Sequence, residues 1–114
     1  MTALLNFGVS PHTSAFAMKP PPASIGDLPV VCYTLLDARH RTTGRTRHLV
    51  GGVEAERPAG LAVCRDGEAY YLFGCDAGWE PVTDTWHETL DDALAQAEFE
   101  HAGTSGTWVR VGAG

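Results

Sequence analysis

The chain has 114 residues, 44% hydrophobic and 19% charged, with a formal net charge of −6. This gives room for one domain with one core and excludes wholesale disorder, while no apolar run approaches the roughly 18 residues needed to cross a bilayer. Three cysteines, Cys32, Cys64 and Cys75, form an odd set with no CxxC, which fits reduced, buried thiols and excludes a disulfide framework.

Charge is unevenly spread. Met1 to Arg65 holds seven Lys/Arg and four Asp/Glu, whereas Asp66 to Gly114 holds ten Asp/Glu and a single Arg110. Such a dipolar chain has an acidic face able to steer a basic partner, unless the charge is only solvating. The opening MTALLNFGVSPHTSAFAM has neither a basic start nor a continuous apolar run. It makes a poor signal peptide, so a cytoplasmic location is expected.

In chain order, residues 1–27 contain Pro11 and Pro20-Pro21-Pro22 with little periodicity. They read as a flexible or partly ordered arm, with Met18-Lys19 as an alternative natural start. A single domain is expected over residues 28–112. LPVVCYTLLDA (28–38) has strand composition, and RHRTTGRTRH (39–48) is a polar loop around Gly44. RHLVGGVE (47–54) reads as a second strand with a bulge or bend at Gly51-Gly52, and ERPAG (56–60) turns the chain.

LAVCRDGEAYYLFGCD (61–76) is a hairpin, with Asp66-Gly67 as the two central residues of a type I′ turn. That register sets Arg65 opposite Glu68 and Cys64 opposite Ala69. Cys75 then lies roughly 20 Å from Cys64, beyond the reach of a disulfide. Leu61, Val63, Tyr70 and Leu72 share one face; Ala62, Cys64, Ala69, Tyr71 and Phe73 share the other. Both are apolar, so the hairpin is central and needs cover on each side from the arm, a helix or another subunit. DAGW turns the chain into EPVTDTWH (80–87), a short or edge strand because of Pro81, and TWVRV (107–111) is the last strand.

Between these strands lies a helix. Thr89 is its N-cap, Asp92 takes the capping-box position, and Gly103 is the expected C-cap. Leu90, Ala93, Leu94, Ala97 and His101 form one stripe that must lie on the sheet. The expected fold is therefore α+β: an antiparallel sheet of about five to six strands packed by one helix, ordered β-β-β-β-(β)-α-β. Phe99 points away from the stripe. It either packs near Trp108 or is an exposed anchor rimmed by Asp91, Asp92, Glu98 and Glu100.

The stretch YLFGCDAGWEPVTDTWHETLDDALAQAEFEH resembles a segment of small uncharacterised bacterial proteins, in which an aromatic strand leads through DTWH to a QAEFE helix. The resemblance covers about Tyr70 to Gly103 and brings no activity or catalytic residue with it. It implies a bacterial, soluble, single-domain protein.

Chemical motifs are sparse. His87, Cys75, Asp84 and His101 are metal-ligand types, but without HxxxH, CxxC or HExxH spacing they do not form a metal site. No cysteine sits at a helix N-terminus or in a nucleophile motif, and Gly51-Gly52 is no phosphate loop. Asp84 and Glu88 around Trp86-His87 could be drawn as an acid/base pair, but the simpler reading has Asp84 accepting backbone hydrogen bonds at the strand-to-helix turn while Trp86 packs. The expectation is a non-enzymatic binding or regulatory module without cofactor, of which an immunity- or antitoxin-like role is one case. It would use Asp91, Asp92, Phe99 and Glu100 to hold a protein partner or a second copy of itself. The alternative is nucleic-acid binding through Arg39, Arg41, Arg45 and Arg47 of the loop.

Overall fold

The computed structural model describes residues 18–111. In chain order it contains β1 (Ser24–Ile25), β2 (Leu28–Leu35), β3 (Arg41–Thr42), β4 (Leu49–Val50), β5 (Val53–Glu54), β6 (Gly60–Asp66), β7 (Ala69–Cys75) and β8 (Pro81–His87). Then come α1 (Leu90–Glu100), β9 (His101–Ala102), a 3-10 turn (Thr104–Gly106) and β10 (Val109–Arg110). Six strands form an antiparallel sheet in the order β1-β2-β6-β7-β8, with β10 beside β2. The expected α+β architecture is the one observed. Among the described residues no helix is long and apolar enough to cross a membrane.

The sheet is apolar on both faces, and each face has its own cover. On one side Cys32, Leu61, Val63 and Leu72 meet Ala93 and Ala97 of α1, with Leu90, Leu94 and Trp108 packed around them. Burying each of the larger aliphatic side chains stabilises by roughly 1.5–3 kcal/mol, and the two alanines let the helix backbone approach closely. On the other side Val30, Ala62, Cys64 and Cys75 are covered by Ile25, Trp79, Met18 and Leu28. The indole of Trp79 donates to the Lys19 carbonyl at 2.7 Å and meets Tyr33 edge-on. Residues 18–27 of the expected arm are thus part of the core layer, because a bare second face would leave apolar strands in water. Residues 1–17 of that arm, and the expected domain end at 112, lie outside the described residues.

Four local expectations are corrected. The β6–β7 turn is Gly67-Glu68, not Asp66-Gly67: Asp66 pairs with Ala69, Arg65 with Tyr70 and Cys64 with Tyr71. Gly67 alone has positive φ (64°), the pattern of a type II′ turn, whose first central residue is glycine. The segment expected as a second sheet strand instead forms the separate β4–β5 hairpin. Its turn is Gly51-Gly52, with φ of 61° and 84°, so of the bulge or bend expected there the glycines make the bend, closing a hairpin.

The last two corrections concern the helix and Asp84. α1 ends at Glu100, because His101 turns extended (φ −138°) and pairs with Thr42. Gly103, with φ of 103°, opens the 3-10 turn instead of capping the helix. Asp84 sits mid-strand opposite Phe73, exposed, rather than bonding the backbone of the strand-to-helix turn. The N-cap is as expected, with Thr89 Oγ1 accepting from Asp92 N–H at 3.0 Å.

Candidate interaction groove

β8 is one edge of the main sheet, and α1 runs back from it over β7. Between strand end and helix lies an open groove of about 620 Å³, lined by Trp86, His87 and Glu88 on one side and Asp92, Ala95, Gln96 and Phe99 on the other. Trp86 is 53% exposed and Phe99 44% exposed. The strand register sets Trp86 opposite Tyr71, on the sheet face away from the helix, so Trp86 stands at the rim. Glu88 and Asp92 supply negative charge, and Asp91 is exposed on the same first helical turn. His87 is held by Thr85 Oγ1 at 2.7 Å, and burial pushes its pKa down, with partial opposition from Asp92 and Glu100.

Of the four residues expected to bind a partner, Asp91, Asp92 and Phe99 are exposed and Glu100 is not. Glu100 is 7% exposed; its carboxylate lies 3.0 Å from His48 Nε2 and accepts from Gln96 Nε2 at 2.7 Å. The last helical turn is bonded to the 42–48 loop, with Thr43 N–H donating to the Glu100 carbonyl at 2.9 Å, and the Glu100 side chain lies inward, out of the proposed rim. Glu98 is also committed, accepting from Gly103 N–H and Ser105 N–H at 3.0 and 2.9 Å, which lowers its pKa. Phe99 does not pack on Trp108: the Arg45 guanidinium covers it at 5.6 Å from the ring centre, while Trp108 lies in the helix-side core. Trp86, expected to pack, is instead exposed because it stands on the Pro-marked edge strand β8, and it is the groove residue that sequence reasoning missed.

The arginine loop is largely occupied within the molecule. Arg39 grips Asp37 with two nitrogens, Nε at 3.0 Å and Nη2 at 2.9 Å, and these bonds hold the Asp37 pKa down at about 2. Arg47 pairs with Glu54 at 3.4 Å, and Arg45 lies on Phe99. Arg41 has no such partner among the described residues. His40 and His48 turn inward.

The structure also brings together residues that resemble a nucleophile triad. His40 Nε2 lies 2.9 Å from Thr107 Oγ1, which is 2.6 Å from Thr34 Oγ1, and Asp37 Oδ1 is 3.4 Å from His40 Nδ1. The ring orientation argues against a base. His40 Nδ1 accepts the Asp37 backbone N–H at 3.1 Å, so a neutral ring carries its proton on Nε2 and donates to Thr107. A base for Thr107 would have to accept there. The chain of hydroxyls instead ties the 37–40 loop to β2 and the C-terminal segment.

Thiol chemistry is equally closed off. Cys32, Cys64 and Cys75 are buried and free, and burial raises their pKa values to about 11, 12 and 12. No group of three or more His, Cys, Asp or Glu among the described residues is set to hold a metal. Asp84 faces away from the helix while Glu88 lines the groove, so they do not converge as an acid/base pair. Compared with known protein families, with curated proteins and with solved structures, the chain matches none.

Proposed function

We propose that the chain is a non-enzymatic binding or regulatory module that holds a basic protein segment in the groove between β8 and α1. The observation that carries this reading is the pair of half-exposed aromatics, Trp86 and Phe99, bordering one open groove with Glu88 and Asp92 on it. Aromatic anchors with a polar rim are what dominate interface energetics. The acidic second half of the chain favours a basic occupant by charge complementarity. A second copy is one such occupant, since Arg41 is exposed on the same molecule and engages no acidic group among the described residues. The bacterial origin and cytoplasmic location implied by the sequence belong to this proposal.

The test is the solution mass of the full chain at low and high ionic strength, followed by capture of partners on wild-type, Trp86→Ala and Phe99→Ala proteins. A salt-sensitive dimer lost in both variants identifies the partner as a second copy. A monomer whose captured basic protein is lost in both variants identifies an external partner. Capture or dimerisation unchanged by both substitutions overturns the reading. Loss of nucleic-acid retention on substituting Arg41, Arg45 and Arg47 by alanine, with the groove variants unaffected, would favour the loop instead.

A further inference from the structure

The described arginines divide into two groups. Arg39, Arg45, Arg47 and Arg57 are engaged internally: with Asp37, the Phe99 ring, Glu54, and the carbonyls of Asp37 and His40. Arg41, Arg65 and Arg110 have no carboxylate or carbonyl partner among the described residues, and of these Arg65 and Arg110 line one cleft. They come from opposite parts of the sequence. Arg65 sits near the end of β6, and Arg110 on β10 pairs opposite Cys32 of β2, so sheet pairing alone brings them to the same end of the molecule.

The cleft has a volume of about 610 Å³, within the range of small-molecule sites. Besides the two arginines its lining among the described residues is Tyr70, Leu90 and the Pro29–Val31 and Val111 segments: aliphatic wall, one phenol, and no carboxylate side chain. The absence of acid is notable in a chain with 14 Asp and Glu. The β8–α1 groove and the two smaller clefts beside residues 55–58 all carry acidic residues. Arg110, the single Lys or Arg after Asp66, lies in the one of these clefts that lacks them among the described residues.

We infer that this cleft binds a small amphipathic anion, a phosphate monoester or carboxylate on a short apolar body. The headgroup oxygens would be held between the Arg65 and Arg110 forks, and the apolar body would lie against Val31 and Leu90. Planar guanidinium groups match the oxygens of either headgroup in two-pronged fashion, and a nearby apolar wall strengthens such bonds by excluding water. The site is separate from the β8–α1 groove and does not depend on what that groove binds.

The experiment is titration calorimetry on the full chain with hexyl phosphate, hexanoate, inorganic phosphate and hexanol. Variants Arg65→Gln, Arg110→Gln and, as a control outside the cleft, Arg41→Gln are measured alongside, with circular dichroism to confirm folding. The expected result is binding of hexyl phosphate or hexanoate, the tighter of the two naming the headgroup. Inorganic phosphate and hexanol bind at least about tenfold more weakly, because each satisfies only half of the cleft. Each cleft substitution weakens binding at least about tenfold and Arg41→Gln leaves it unchanged. No binding of either amphipathic anion, equal binding of inorganic phosphate or hexanol, or affinity unchanged in both cleft variants overturns the inference.

Discussion

Glu100 shows how one residue's role is decided by its surroundings. Placed after Glu98 and Phe99 in an acidic helix, it reads as one more solvated charge, yet its carboxylate is buried between His48 and Gln96. Glu100→Ala leaves His48 and Gln96 without their shared acceptor and is expected to cost about 1–3 kcal/mol, read by urea denaturation. The same variant should retain any groove partner, because Glu100 does not line the groove. Asp91 and Asp92, exposed at the other end of the helix, behave as the sequence suggests. The Arg39–Asp37 pair is solvated too, so its short distances carry little stability.

At the level of elements, helix start and helix end were unequally legible. Thr89 caps α1 with its own hydroxyl, a local interaction over three residues that sequence spacing reveals. Thr89→Ala is expected to lower stability by about 1 kcal/mol, visible as a lower melting temperature. The other end depends on β3, a segment about 60 residues away that recruits His101 as a strand partner, which Gly103 could not announce. The β6–β7 turn was misplaced for a related reason. Shifting the pairing by two residues keeps every side chain on its face, so the alternation that identified both apolar faces could not choose between registers. Only the backbone at Gly67 did.

For the molecule as a whole, the fold disfavours the charged form of three histidines. Burial lowers the pKa values of His40, His87 and His101 from 6.5. Around His101 the neighbouring Glu100 opposes that shift, and Arg57, His48 and His40 add to it. A depressed histidine pKa means that the unfolded chain takes up the proton first as pH falls through 6.5. Stability is therefore full above that pH and declines below it. Asp37, ordinarily near 3.8 and here about 2, adds a further loss in the same direction only at much lower pH. The melting temperature should fall between about pH 7 and pH 5, before the carboxylates titrate, and replacing His101 by Gln should flatten part of that fall. An unchanged melting temperature over this range would show that these rings do not remain neutral in the fold.

The α+β class, the capped helix with its alanine stripe, the two apolar faces of β6 and β7 and the inert thiols were determined by the sequence by itself. Each follows from backbone periodicity or from a contact within a few residues, which the chain carries wherever it lies. Tertiary structure decided what the charged and aromatic side chains do. It buried Glu100 against a histidine 52 residues away, laid Arg45 on Phe99, and folded residues 18–27 over the second face. It also brought Trp86 to the rim of the helix groove and Arg65 and Arg110 to a single cleft. These outcomes depend on which distant segments meet, and a long polar or aromatic side chain has no local repeat that reports its partner.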